Sequence, residues 1–151
     1  ASEGHEVPEY IRDLYAELIK EPTYRSIRME PRFVVNGQGI YNQNCSVCHG
    51  LSGDGEGPAY LHGPMAKPPA NFWEDRFDGY DDAMWLWRVQ EGIPGTQMPP
   101  WKYSLTNEQI FYVMQFLKYV AENNGLGDLD QPIEGTAGTA AGPLGQPNQP
   151  R

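Results

Sequence analysis

Residues 44–50 read NCSVCHG, and Cys45 and Cys48 are the chain's only cysteines. Two thiols two residues apart, with His49 following at once, constrain the fold around them more than any other segment does. Four chemistries use such a spacing. A disulfide would close a very short loop, and short loops gain least from a cross-link. A thioredoxin-like redox pair needs a βαβ setting, and nothing upstream reads as a strand that feeds one. Zinc needs four ligands, and three of them would be crowded into Cys45, Cys48 and His49. Covalent c-type haem is the standing interpretation of C-x-x-C-H. Thiols one helical turn apart can each form a thioether to a haem vinyl group, and the adjacent histidine then lies beneath the iron. The spacing favours this fourth chemistry.

The totals limit the setting. The chain has 151 residues and a net charge of −9, so it has no excess cation with which to neutralise phosphates, which excludes a nucleic-acid partner. No apolar run approaches the roughly 20 residues that span a bilayer, so no transmembrane segment is expected. No signal peptide is visible, which fits a chain whose first residue, Ala1, follows a cleavage.

Three regions follow from composition and periodicity. Residues 1–32 form an N-terminal extension with one amphipathic helix. Its stripe is Ile11, Leu14, Tyr15, Leu18 and Ile19, and Pro22 ends it. The stripe alone leaves open whether that helix packs on its own core or on a partner. A polar connector, EPTYRSIRMEPR, follows.

Residues 33–125 hold the motif. A short helix containing Gly37, Gly39 and Tyr41 runs into it, and a long Gly/Pro loop follows, of the kind that wraps a flat cofactor. DDAMWLWRVQEG reads as a helix capped by Asp81 or Asp82 and ended by Gly92. After the loop IPGTQMPPWKYS, the last helix starts at a capping box of Thr106 and Gln109. It presents Ile110, Val113, Met114, Leu117, Val120 and Ala121 on one face. Residues 126–151 form a Gly/Pro-rich tail with almost nothing to bury, expected to be disordered unless a neighbouring subunit orders it.

A short helix with Gly37 and Tyr41, then CSVCHG, then GPAYL, then GTQMPPW before a C-terminal helix, occur in that order. From about residue 33 to 124 the chain therefore resembles a class I, single-haem cytochrome c. The resemblance implies an all-α fold of three to five helices around one haem c, attached through Cys45 and Cys48. It implies that His49 is the proximal iron ligand, oriented by a hydrogen bond to the Pro58 carbonyl. Leu61 would lie near the haem face. Tyr41 and the glycines would meet aromatics of the last helix, Phe111 or Tyr112.

Five methionines compete for the distal position. Met84 and Met114 lie within helices and suit core packing. Met29 lies in the polar connector. Met65 is on a loop, but only sixteen residues beyond His49. Met98 is favoured: it sits on a loop between two helices, and Pro99 and Pro100 restrict its backbone. His5 and His62 are weaker candidates. Trp101 and Tyr103, with Arg76, Arg88 and Lys102, are candidates for contact with the haem propionates.

Iron held by His49 and Met98 has both axial positions filled. It can change oxidation state but not readily bind a substrate, and soft thioether sulfur raises its potential. The expected function is single-electron transfer rather than enzymatic catalysis. The expected setting is the monohaem subunit of a membrane-associated respiratory or photosynthetic redox complex. The N-terminal helix and the tail would then touch other subunits. A freely diffusing periplasmic shuttle is the alternative, and a haem sensor with a labile sixth position is a second, from a different class. Thioether attachment, as the resemblance implies, takes place outside the bacterial cytoplasm, which predicts a periplasmic or outward-facing location.

Overall fold

The structure, a computed structural model, describes residues 7–130. Among these residues it is helical, with no strand. The expectations placed on His5 and on the tail beyond residue 130 lie outside the described residues. The α-helices are α1 (Glu9–Leu18), α2 (Pro22–Met29), α3 (Val34–Asn44), α4 (Ser46–His49), α5 (Pro58–Leu61), α6 (Asp82–Glu91) and α7 (Asn107–Asn123). Short 3-10 turns occupy Pro31–Phe33, Asp75–Gly79, Trp101–Tyr103 and Gly127–Asp130.

The centre of the fold is the crossing of α3 and α7. Helix α7 begins at the capping box read from the sequence. The Gln109 N–H donates to Thr106 Oγ1 at 3.1 Å, and Gln109 Oε1 accepts from the Thr106 N–H at 2.9 Å. Its buried residues are Ile110, Phe111, Val113, Met114, Gln115, Phe116, Leu117 and Val120, a wider band than one helical face. The helix ends at Asn124, which takes the left-handed conformation with φ 49°. Gly37 of α3 lies against the Tyr112 carbonyl and Phe116, and Tyr41 packs on the Phe116 ring at 4.6 Å. The aromatic partner of Tyr41 is thus Phe116, one turn beyond the residues expected.

The extra band on α7 is covered by the N-terminal extension. Helix α1 packs on α6, and α2 packs on α7. Ile11, Leu18 and Ile27 join the main hydrophobic core. Tyr15 stacks over Phe111 with centroids 6.0 Å apart, and Tyr24 meets the same ring edge-on at 4.9 Å. The stripe on α1 therefore faces the protein's own core. The polar connector is corrected as well: Pro22 occupies the first turn of α2, where its missing N–H costs no hydrogen bond. Ile27 is the buried anchor of that helix.

Both aspartates at the start of α6 have work, and it differs. Asp81 caps the helix, its Oδ1 accepting from the Met84 N–H at 2.9 Å. Asp82 gathers three elements: it accepts from Tyr15 Oη at 2.6 Å and Arg28 Nε at 3.0 Å, and pairs with Lys118 Nζ at 2.8 Å. Burial acts to raise the Asp82 pKa, but the hydrogen bonds from Lys118, Tyr15 and Arg28 outweigh it and hold the pKa below its ordinary value.

Candidate cofactor site

The motif occupies one helical turn. Cys45 closes α3, its N–H donating to the Tyr41 carbonyl at 2.7 Å, and Ser46–His49 form α4. The carbonyls left open at the end of α4 are taken up by the glycine-rich loop. Gly57 N–H donates to Cys48 O at 3.1 Å and Gly55 N–H to His49 O at 2.8 Å. The buried Tyr41 hydroxyl donates to the Gly50 carbonyl at 2.7 Å. The turn is thereby fixed from both sides.

Both cysteines are free and half-buried. Burial, with a smaller contribution from Cys48, pushes the Cys45 thiol up to about 12. Among the described residues no three His, Cys, Asp or Glu side chains gather where a metal ion could be held, so Cys45, Cys48 and His49 do not converge as a zinc site requires.

His49 is oriented by its surroundings. Its Nδ1 lies 3.1 Å from the Ala70 carbonyl, and its ring stacks on Phe72 at 4.8 Å. Burial lowers the His49 pKa, opposed by the bond to Ala70, which favours the neutral imidazole that a metal requires. With Nδ1 engaged as the donor, Nε2 is the nitrogen left to ligate.

The expectation for Pro58 is corrected here. Pro58 is the first residue of α5, and its carbonyl accepts the His62 N–H at 2.8 Å within that helix. The carbonyl facing His49 instead belongs to Ala70, which follows the stiff Pro68–Pro69 pair. Leu61 lies on α5 at 52% exposure. The hydrophobic side chain stacked on His49 is Phe72. The Phe72 N–H donates to the Gly53 carbonyl at 2.8 Å, tying the two ends of the long loop together. Ala70 acts through its backbone and leaves no side-chain signal in the sequence. PPANF, with two prolines ahead of a buried aromatic, was the available clue.

Of the methionines, Met84 and Met114 are buried in the core, and Met29 is 67% exposed on the surface. Met98 is half-buried on a loop tied to itself. The Ile93 N–H donates to the Met98 carbonyl at 3.2 Å, and the Met98 N–H donates to Thr96 Oγ1 at 3.1 Å. Thr96 Oγ1 in turn donates to the Ile93 carbonyl at 2.7 Å. Gly92, with φ 65°, lets the Met98–Pro99 backbone pass so close that a Cβ there would sit 2.6 Å from the Met98 oxygen. Met65 is also half-buried, its N–H donating to the Ala59 carbonyl at 3.1 Å. His62 is exposed.

Trp101 is half-buried against the core, whereas Tyr103 is 79% exposed. Among the cations proposed for propionates, Lys102 is paired with Glu91 at 2.9 Å, and Arg76 is paired with Glu74 at 3.0 Å. Arg88 lies over the Trp87 ring at 3.8 Å.

Free thiols one turn apart, beside an imidazole held by its far nitrogen, form the donor set of a covalent haem site within an all-helical fold. The cytochrome c family model matches residues 34–121, and the chain belongs to that family. Comparisons with curated proteins and with solved structures find no match. Membership brings one haem c attached through Cys45 and Cys48, and the free thiols and oriented His49 described above fit that group. It makes the protein a haem-based electron carrier with redox partners.

Proposed function

We propose that the protein moves single electrons between redox partners, with His49 and Met98 as the two axial ligands of its haem. Haem c supplies a reversible one-electron change at iron. The chain's own residues set its orientation, its access and its potential. The observation that carries the reading is the bond from His49 Nδ1 to the Ala70 carbonyl, since it leaves Nε2 as the ligating atom. The self-tied loop around Met98 supports the second ligand, because a thioether on an ordered backbone loses less freedom on ligation.

Docking is proposed at the motif face. Val47, Leu51 and Leu61, all at least half exposed, flank the attachment turn and its following loop. With a net charge of −9, the partner would present either a basic surface or a matching apolar one. We assign the protein to the periplasmic or outward-facing side of a bacterial membrane, as a subunit of a respiratory or photosynthetic redox complex. No helix among the described residues is long and apolar enough to cross a membrane. The support for a fixed subunit now rests on the composition of residues 126–151, because α1 is spent on the protein's own core.

Visible spectra of the native protein and of Met98→Ala, with and without carbon monoxide, test the ligand pair. The native ferric form is expected to show the weak far-red sulfur-to-iron band, and the ferrous form to take up carbon monoxide only slowly, as fast as Met98 leaves the iron. Met98→Ala should lose the band and bind the gas. A native protein that binds carbon monoxide directly has an open iron, and the electron-carrier reading would give way to sensing. Size-exclusion after mild detergent extraction separates subunit from shuttle, and elution at monomer size would leave the shuttle.

A further inference from the structure

Glu91 is the last residue of α6, where a carboxylate opposes the helix dipole. Its placement is therefore unfavourable for the helix alone. The carboxylate is nevertheless largely covered, with its side chain 17% exposed. Both oxygens face Lys102 Nζ, at 2.9 and 3.2 Å. Gln90 Nε2 lies 3.5 Å from Glu91 Oε2. Glu91 and Lys102 stand at the two ends of the segment that carries Met98. The pair closes an eleven-residue step from the end of α6 to the turn Trp101–Tyr103.

We propose that Glu91 is a positioning residue for the distal ligand, clasping Lys102 so that the loop between them keeps Met98 at its post. The inference rests on Met98 being the sixth ligand. It adds a role for an ion pair at the two ends of the Met98 loop. It also explains an acidic residue where a helix end favours a basic one.

The test uses the haem-loaded protein and three variants, Glu91→Gln, Lys102→Met and Lys102→Arg. Two quantities are read: the rate of carbon monoxide uptake by the ferrous form, and the urea concentration at which the ferric far-red band disappears. Far-UV circular dichroism follows the helices in the same titration. Glu91→Gln and Lys102→Met should each speed uptake roughly three- to fivefold, what a partly exposed ion pair is worth. Each should lose the band at lower urea while the helices persist. Lys102→Arg should behave as native. If Glu91→Gln does not fold, Lys102→Met reads the same clasp from its more exposed end. A native protein with a closed iron, and variants matching it in both readouts, would overturn the clasp alone. A native protein that lacks the band would overturn the ligand reading and the clasp with it.

Discussion

Gly37 of α3 and Tyr112 of α7 meet backbone to backbone, with no room for a side chain between them: a methyl group on Gly37 would overlap the Tyr112 carbonyl and touch Phe116 Cβ at 3.0 Å. The two helices that frame the motif are held together at this crossing. Gly37→Ala is expected to destabilise the protein by about 2 kcal/mol, the usual cost of overpacking a close contact. Urea denaturation measures it. A change within about 0.5 kcal/mol, the range of ordinary surface substitutions, would show that the helices can slide apart freely.

Asp82 gives the pH prediction. Its folded pKa lies below the ordinary 3.8, so the stabilisation it adds is complete above that value. It is lost as pH falls through the still lower folded value. Asp82→Asn should cost about 2–3 kcal/mol at neutral pH, since Arg28 and Lys118 lose their common carboxylate. The difference between native and variant should shrink below about pH 4, where the native carboxyl also protonates. Denaturation midpoints at several pH values check this, and a gap that stays constant down to pH 2 would refute it.

Phe72 is buried at 7% exposure, stacked on His49 and set edge-on to Phe77 and Trp85 at 5.4 and 5.9 Å. Phe72→Ala should cost about 3–5 kcal/mol through the cavity it leaves. Phe72→Leu should cost under about 1.5 kcal/mol, as a swap that keeps much of the volume. Equal losses for the two variants in calorimetry would mean that the aromatic ring itself, rather than its bulk, supports the histidine.

At Gly92 an added methyl group meets both a left-handed backbone and the Met98–Pro99 chain. Gly92→Ala is expected to raise carbon monoxide binding by the ferrous protein at least about tenfold, equivalent to about 1.4 kcal/mol of lost closure. Gly79→Ala is the control, because a Cβ there meets nothing within 4 Å. Identical gas binding by the two variants would show that the loop does not depend on that close approach.

What was legible in the sequence was local. The motif at 45–49, the box at Thr106 and Gln109, and a cap at Asp81 or Asp82 are each written in a few adjacent residues, and each is found in the structure, the cap at Asp81. Helix α2 was missed because Ile27 is its one buried residue and its flanks are charged, so it carries little apolar pattern. The Asp82 cluster was missed because its partners sit at positions 15, 28 and 118, and no local rule joins them. The carbonyl of Ala70 was missed because backbone groups are the same at every residue. Its place facing His49 is set by how the loop folds rather than by what the residue is.

The rings of Tyr15 and Tyr24 over Phe111 have a consequence for where the protein can be cut. A fragment starting at Val34 would keep every motif by which the family is known, since the match runs from 34 to 121. It would also bare Phe111 and strip the Asp82 carboxylate of two of its three partners. The shortest stretch that can be recognised is thus shorter than the stretch that melts as one cooperative unit.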